Sequence, residues 1–261
     1  MTFWSIILLG LIEGITEFVP ISSTGHLLLA EHWLGPQSDL FNVFIQCGAV
    51  LAVLPLFRER LWQFTSRWRE PDTRDYMTKI AVAFFVTGVG GIILEKAHFK
   101  LPETVGPVGL ALLIGGILFV LVERWLRGRK GRTEVTWSIA LAVAIGQLIA
   151  AAFPGASRSG TTILAALILG LARPQATEFS FLVGIPTMLA AGGLKMFKAL
   201  HHPPPGAPAE NWTALLIGAL VAAVVSFVVV KWFLRFVQSH SFEVFGWYRI
   251  VLGAAILLWL R

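Results

Sequence analysis

Charge is scarce in this chain. Lys, Arg, Asp and Glu make up 14% of its 261 residues, where a soluble domain carries about 25%. Hydrophobic residues reach 56% and mean hydropathy is +0.74. Too little polar surface is left to cover a water-soluble globule. Cysteine is nearly absent as well. Cys47 stands alone, which excludes an internal disulfide, and no Cys/His cluster has zinc-site spacing. Cys47 reads as a small packing residue. A basic stretch ahead of the first apolar run is also missing. Met1 to Ile12 is apolar and leads into acidic Glu13 and Glu17, so it reads as part of the mature protein, not as a cleaved signal peptide.

Apolar runs long enough to cross a bilayer recur along the chain. They predict an all-α integral membrane protein with six full spans, at about 41–57, 77–95, 107–126, 177–198, 212–234 and 245–260. Trp4, Trp62, Trp68, Trp125, Trp137, Trp212, Trp232, Trp247 and Trp259 lie near the ends of apolar runs. Indole rings favour that headgroup depth.

Two further apolar stretches are interrupted. Thr2 to Trp33 is broken by Glu13, Glu17, Pro20 and a Ser-Ser-Thr-Gly run. Trp137 to Leu171 is broken by Pro154, Gly155 and Ser-Arg-Ser-Gly. Each reads as a re-entrant hairpin whose polar tip lies inside the membrane. Irregular backbone is tolerated there only where it is buried in protein or lines a cavity.

A net charge of +6 could suggest nucleic acid, but the basic residues sit in loops beside the spans. Arg58, Arg60, Arg67, Arg69 and Arg74 follow the first span; Arg124, Arg127, Arg129, Lys130 and Arg132 follow the third; Lys231 and Arg235 follow the fifth. The alternate loops hold Lys96 and Lys100, then Lys195 and Lys198 beside the Pro-rich 201–208 segment. This is the positive-inside pattern. It excludes a nucleic-acid partner as the reason for the charge. It also places both termini outside the cytoplasm, with one hairpin entering from each side.

The chain reads as one membrane domain over 1–261, built from halves at about 1–126 and 134–261. Aligning Pro20 with Pro154 sets Glu13 opposite Gln147 and Ser23 opposite Ser157. Phe41-Asn42-Val43-Phe44 then falls near Phe179-Ser180-Phe181. One hairpin plus three spans per half gives an inverted-topology repeat, an architecture that places its site where broken helices meet.

The chemistry sits in the two tips. Glu13 and Glu17 are four residues apart and share a helix face. At roughly 1.5 Å per residue, Glu13 lies about 15 Å from Trp4. Intramembrane carboxylates are costly and mark functional sites, and two on one face need a proton, a cation or a basic partner between them. Buried packing, or an interfacial position on a tilted arm, is the plain alternative. In the second tip, Arg158 is the only basic residue between Trp137 and Leu171. Ser157, Ser159, Thr161 and Thr162 add hydroxyls, and Gly155 and Gly160 let backbone amides approach a ligand. A helix starting at about Thr161 would present its N-terminus. Such groups together suit phosphate oxygens. The plain alternative is an arginine that only pairs with Glu13 or Glu17. His26 would face the other tip beside hydroxyls and carboxylates, where it could move a proton or attack phosphorus. Ser22 and Ser23 could be ordinary caps.

Glu13-Gly-Ile-Thr-Glu-Phe-Val-Pro-Ile-Ser-Ser-Thr-Gly-His26 and Pro154-Gly-Ala-Ser-Arg-Ser-Gly-Thr-Thr162 resemble the two signatures of the undecaprenyl-diphosphatase, or bacitracin-resistance, family. Phe41 to Gln46 and Phe179 to Leu182 fit as well, so the resemblance covers the whole chain. It implies a bacterial inner-membrane enzyme that hydrolyses undecaprenyl diphosphate to undecaprenyl phosphate and inorganic phosphate. That reaction recycles the lipid carrier of peptidoglycan synthesis and confers bacitracin tolerance. The resemblance further implies dependence on a divalent cation, Mg²⁺ or Ca²⁺, and makes Glu13 and Glu17 the acidic pair, taken here as the cation's ligands. Ser23 and His26 become the reactive groups, with Glu17 and Glu13 beside them, and Arg158, Ser157, Ser159 and Thr162 the phosphate binders. Nucleophilic Ser23, nucleophilic His26 and His26-activated water remain alternatives. Membrane lipids and the polyprenyl substrate are the expected partners, and a homodimer is possible on this reading. The site is expected to open to the outer side. The rival class is a transporter or flippase of an anionic polyprenyl lipid, because inverted repeats also suit alternating access.

Overall fold

The computed structural model describes residues 2–99, 101–201 and 210–259. Among them the chain is helical throughout its regular structure. Helices α1 (Phe3–Thr16) and α2 (Ser23–Leu34) form the first hairpin, and α7 (Trp137–Ala152) and α8 (Arg158–Ile168) form the second. Between them run α3 (Asp39–Val53), α4 (Arg58–Ser66), α5 (Pro71–Lys96) and α6 (Val105–Trp125). After them come α9 (Arg173–His201), α10 (Trp212–Ser239) and α11 (Glu243–Trp259).

Five helical stretches are long and apolar enough to cross a membrane: Asp39–Ser66, α5, α6, α9 and α10. The first differs from the expected 41–57 span because the chain does not leave the helix at Phe57. Leu54–Phe57 form a 3₁₀ turn with Pro55 in its first positions, where a missing N–H costs nothing, and α4 continues from it. The expected 245–260 span corresponds to α11, which has 17 residues; its last expected position, 260, lies outside the described residues, as does the 202–209 part of the Pro-rich segment.

Both hairpins are short-armed for a local reason. Proline removes a helical hydrogen bond and disfavours helix in the residue before it. Pro20 closes the turn after α1, and Pro154 follows the end of α7. All ten tryptophans lie on the exterior, as rings anchored in a bilayer interface would.

Helix α10 packs against both α1 and α3, α5 packs against both α7 and α9, α3 meets α9, and α6 pairs with α11. Glycine makes the tightest of these contacts possible. A Cβ at Gly10 would stand 2.7 Å from the Gly218 carbonyl, and one at Gly246 would stand 2.9 Å from the Gly116 carbonyl. Between lipid-embedded helices, where apolar burial gives little drive, such close backbone approach supplies the packing. On one side of the hairpin tips lies an aromatic core. Phe18 meets Phe181 at 5.1 Å between ring centroids, and Phe181 meets Phe57 and Phe233 at 6.3 and 6.1 Å. All four rings are buried.

Candidate active site

The two tips are built alike. Ser22 caps α2 and Ser157 caps α8, each with its hydroxyl accepting from the amide three residues on: Gly25 N at 3.3 Å and Gly160 N at 3.2 Å. Serine suits that position because its oxygen satisfies a helix-end N–H. Both caps have positive φ, 73° at Ser22 and 67° at Ser157, a backbone region that costs a non-glycine residue energy and recurs at functional sites. The shared geometry pairs Ser22 with Ser157. That is one position off the register set by Pro20 and Pro154, which put Ser23 opposite Ser157. Helix α8 also starts at Arg158, not near Thr161, so Arg158 stands at the first helical position.

With Ser22 serving as the cap, Ser23 has its hydroxyl free for other work. It donates to Glu17 Oε2 at 2.6 Å. The other oxygen, Oε1, receives Arg158 Nη2 at 2.5 Å and Gln46 Nε2 at 3.2 Å. Arg158 Nη1 reaches the Gly184 carbonyl of α9 at 3.4 Å. One carboxylate thus ties together a hydroxyl from its own hairpin and a guanidinium from the other. These groups border a cavity of about 230 Å³. Ser22, Thr24, Gln46, Ser157 and Gly155 also line it, as do Thr87, Gln147 and Thr187. Gln147 donates to Thr87 Oγ1 at 2.9 Å.

The remaining expected site residues lie behind this lining. Glu13 is 1% exposed and packs against Glu17. Ser159 spends its hydroxyl on Ser157 Oγ at 3.2 Å and on the Val19 carbonyl at 3.3 Å, stitching the tips together. The Thr162 hydroxyl donates within its own helix, to Arg158 O at 2.8 Å, and Thr161 likewise bonds backbone, to Gly146 O at 2.8 Å. Gly155 lines the cavity, while the space on the Cβ side of both Gly155 and Gly160 is taken by protein. A Cβ at Gly155 would meet the Val108 carbonyl at 2.7 Å, and one at Gly160 would meet Arg249 Nη1 at 2.7 Å.

His26 does not face the other tip. Its Nδ1 lies 2.7 Å from the Ser22 carbonyl and its Nε2 lies 2.7 Å from the Tyr248 hydroxyl. A carbonyl only accepts, so Nδ1 carries a proton, and Nε2 pairs with the Tyr248 hydroxyl. The helical i to i−4 position of Ser22 holds the ring along α2, stacked on Tyr248 of α11. Cys47 is free and half-buried, filling the space above Gly192.

Sequence reasoning passed over three residues. Gln46 completes the partners of Glu17, Tyr248 completes those of His26, and Arg249 lies beneath both tips. The guanidinium of Arg249 is fully buried. It donates to the Pro20 carbonyl of the first tip at 3.2 Å, and to Gly155 and Ala156 carbonyls of the second at 3.3 and 2.9 Å. A signal was available for Arg249, since it is a basic residue inside the apolar run 245–260 and such residues mark function.

The donor set suits a hard divalent cation. Glu13 Oε2 is buried and has no hydrogen-bond partner among the described residues, and it stands next to a second carboxylate. Among those residues no group of three or more His, Cys, Asp and Glu side chains gathers. Two carboxylates without a full cage are what Mg²⁺ commonly uses when substrate oxygens and water complete its shell.

Similarity to known proteins agrees with this geometry. Residues 6–255 match the family described as bacitracin resistance protein BacA. The chain is 49% identical over 259 residues to an undecaprenyl-diphosphatase of Rhizobium etli (strain CIAT 652), covering 98% of this chain and 97% of that one. It is 50% identical over 257 residues to proteins of the same name from Xanthomonas oryzae pv. oryzae (strain PXO99A) and Xanthomonas campestris pv. campestris (strain 8004). These alignments cover 98% of this chain and 96% and 97% of the relatives. A match across nearly the whole length, including both hairpins, means that this multi-pass membrane chain belongs to the bacitracin resistance protein BacA family.

Proposed function

We propose that the protein is a membrane phosphatase that uses water to split undecaprenyl diphosphate into undecaprenyl phosphate and inorganic phosphate. The activity regenerates the lipid carrier of peptidoglycan synthesis. It lowers the pool of diphosphate that bacitracin sequesters, which accounts for tolerance. The observation that carries this reading is the Ser23–Glu17–Arg158 constellation on a polar cavity, in a chain about half identical to undecaprenyl-diphosphatases.

Cleaving a phosphoanhydride requires a placed nucleophile and stabilised phosphoryl oxygens. Arg158 offers a planar fork for two of those oxygens, and Ser157 offers a hydroxyl on the same rim. Ser23 Oγ attacks the terminal phosphorus as its proton passes to Glu17 Oε2, the acceptor it already touches at 2.6 Å. The bond from phosphorus to the bridging oxygen breaks, and undecaprenyl phosphate leaves with the bond's electron pair. Glu17 passes its proton to the departing undecaprenyl phosphate, then takes one from the water that attacks the phosphoserine and returns it to Ser23 Oγ as phosphate leaves. His26 is the weaker candidate for this proton, because the Ser23 hydroxyl bonds Glu17 while the His26 ring nitrogens pair with Ser22 and Tyr248. Glu13 and Glu17 are the residues that would hold Mg²⁺ or Ca²⁺, and the ion would neutralise further phosphoryl charge. Ser159 and Thr162 support the clamp by bracing the tip of α8, instead of touching the phosphate directly.

The architecture is read as an inverted repeat of halves 1–126 and 134–261 with six spans, α11 being the sixth. The packing supports this. Exchanging α1 with α7, α3 with α9, α5 with α10 and α6 with α11 maps the α1–α10 and α3–α10 pairs onto α5–α7 and α5–α9, and maps the α3–α9 and α6–α11 pairs onto themselves. The site is read as opening to the outer face of the bacterial inner membrane. Along α9 the cavity is lined by Thr187, Met188 and Ala191. The end nearer the basic loops is plugged by Phe179, Phe181 and their aromatic partners.

The same exchange pattern favours one second reading, transport of an anionic polyprenyl lipid by alternating access. Phosphate release from purified protein in detergent decides between them, with a polyprenyl diphosphate as substrate and a chelator control. A phosphatase liberates phosphate with no membrane to cross. A transporter alone liberates none, and that result would end the proposal.

A further inference from the structure

Arg249 is the largest fully buried side chain in the described protein. In a membrane such a charge demands a partner, yet among the described residues its hydrogen bonds all go to backbone carbonyls and none to a carboxylate. The acceptors come from three places. Pro20 O belongs to the first tip at 3.2 Å; Gly155 O and Ala156 O belong to the second at 3.3 and 2.9 Å; Ala111 O and Leu112 O belong to α6 at 3.2 and 3.5 Å. A guanidinium spreads its N–H donors over three nitrogens in a fixed plane, and here Nε serves α6, Nη1 the first tip, and Nη2 both the second tip and α6.

These acceptors need a donor. The Pro20, Gly155 and Ala156 carbonyls lie where the hairpins turn and helical bonding stops. At that depth each unsatisfied group costs several kcal/mol. The surrounding sequence also leaves room for the guanidinium. A Cβ at Gly115 would collide with Arg249 Nη2, and one at Gly160 would stand 2.7 Å from Nη1. Gly115 and Gly160 therefore clear the space that Arg249 fills.

The geometry points to Arg249 as a positioning residue that sets the register of the two hairpin tips, and so the placement of Ser23 against Arg158. This rests on the proposed phosphatase reading. The carbonyls it holds lie two residues before one cap and one and two residues before the other: Pro20 before Ser22, and Ala156 and Gly155 before Ser157. Each cap starts the helix that carries a working side chain, Ser23 on α2 and Arg158 on α8. Displacing either tip separates the nucleophile from the phosphate clamp, and small misplacements of reacting groups cost about 100-fold in rate. A lysine keeps the charge but offers three donors from one atom, so it cannot bridge carbonyls spread over three segments.

The test compares wild type, Arg249→Lys and Gly115→Ala, the last keeping the arginine but crowding its seat. Two readouts are taken on purified protein in detergent. One is kcat and KM for phosphate release from a polyprenyl diphosphate. The other, independent of activity, is the distance distribution between spin labels at Trp33→Cys on α2 and Leu169→Cys after α8, in a Cys47→Ser background. The expected result is a fall in kcat of about 100-fold or more with KM changed only a few-fold, together with a broadened or shifted distance distribution in both variants. A narrow, unshifted distribution in both variants overturns the inference, as does kcat within about threefold of wild type. If wild type itself releases no phosphate, the phosphatase reading fails, while the distance measurement still decides whether Arg249 registers the tips.

Discussion

Ser23 and Arg158 sit on different hairpins and meet through one side chain. Ser23 donates to Glu17 Oε2 at 2.6 Å, and Arg158 Nη2 lies 2.5 Å from Glu17 Oε1. On the proposed mechanism the same carboxylate orients the nucleophile and holds the phosphate clamp in waiting. Substrate phosphate would compete for Arg158, freeing Glu17 to take the serine proton.

Glu17→Gln should therefore lower kcat by about 10²–10⁴-fold, the usual contribution of a positioned base. Ser23→Ala should fall at least as far. His26→Gln should lose less than Glu17→Gln, because His26 bonds Ser22 and Tyr248. Steady-state phosphate release on the three purified variants checks the order. A His26→Gln loss exceeding that of Glu17→Gln would return the proton transfer to the histidine.

Arg158→Lys should retain at most about 1% of wild-type turnover, because a point charge replaces a bidentate fork. Arg158→Ala should also cost stability, since removing one partner of a buried ion pair costs about 3–5 kcal/mol. Thermal unfolding separates the two effects. Near-normal turnover in a folded Arg158→Lys protein would rule out the clamp.

Glu13 has no part in the clamp yet carries the unpartnered Oε2. Glu13→Gln should raise the divalent-cation concentration needed for half-maximal activity by roughly tenfold or more, a loss of about 1.4 kcal/mol in binding. The readout is a Mg²⁺ or Ca²⁺ titration after chelation. An unchanged titration would remove Glu13 from the metal proposal.

Sidedness follows from the positive-inside count. Single cysteines at Ser66, Arg129 and Phe99, in a Cys47→Ser background, sample exposed positions. An impermeant thiol reagent applied to intact spheroplasts should label only the Phe99 position. Labelling at Ser66 or Arg129 instead would invert the topology.

Much of this protein is local in origin and so could be read from sequence. Hydropathy places the apolar helices, because a lipid-embedded backbone has no other economical way to satisfy its own polar groups. Pro20 and Pro154 stop two of them early, and Glu17, Ser23 and Arg158 announce themselves as polar groups where polarity is costly. Tertiary structure decided the rest. Which serine caps and which keeps its hydroxyl for Glu17 depends on the positive-φ turn at Ser22, so the two caps match one residue off the alignment by prolines. Where His26 points depends on Tyr248, which is 222 positions away. That Ser159 and Thr162 face backbone instead of the cavity depends on how the two tips interlock. Arg249 was visible as a charge in an apolar run. Its partners are carbonyls, a group every residue carries, so only the folded chain could reveal which ones it holds.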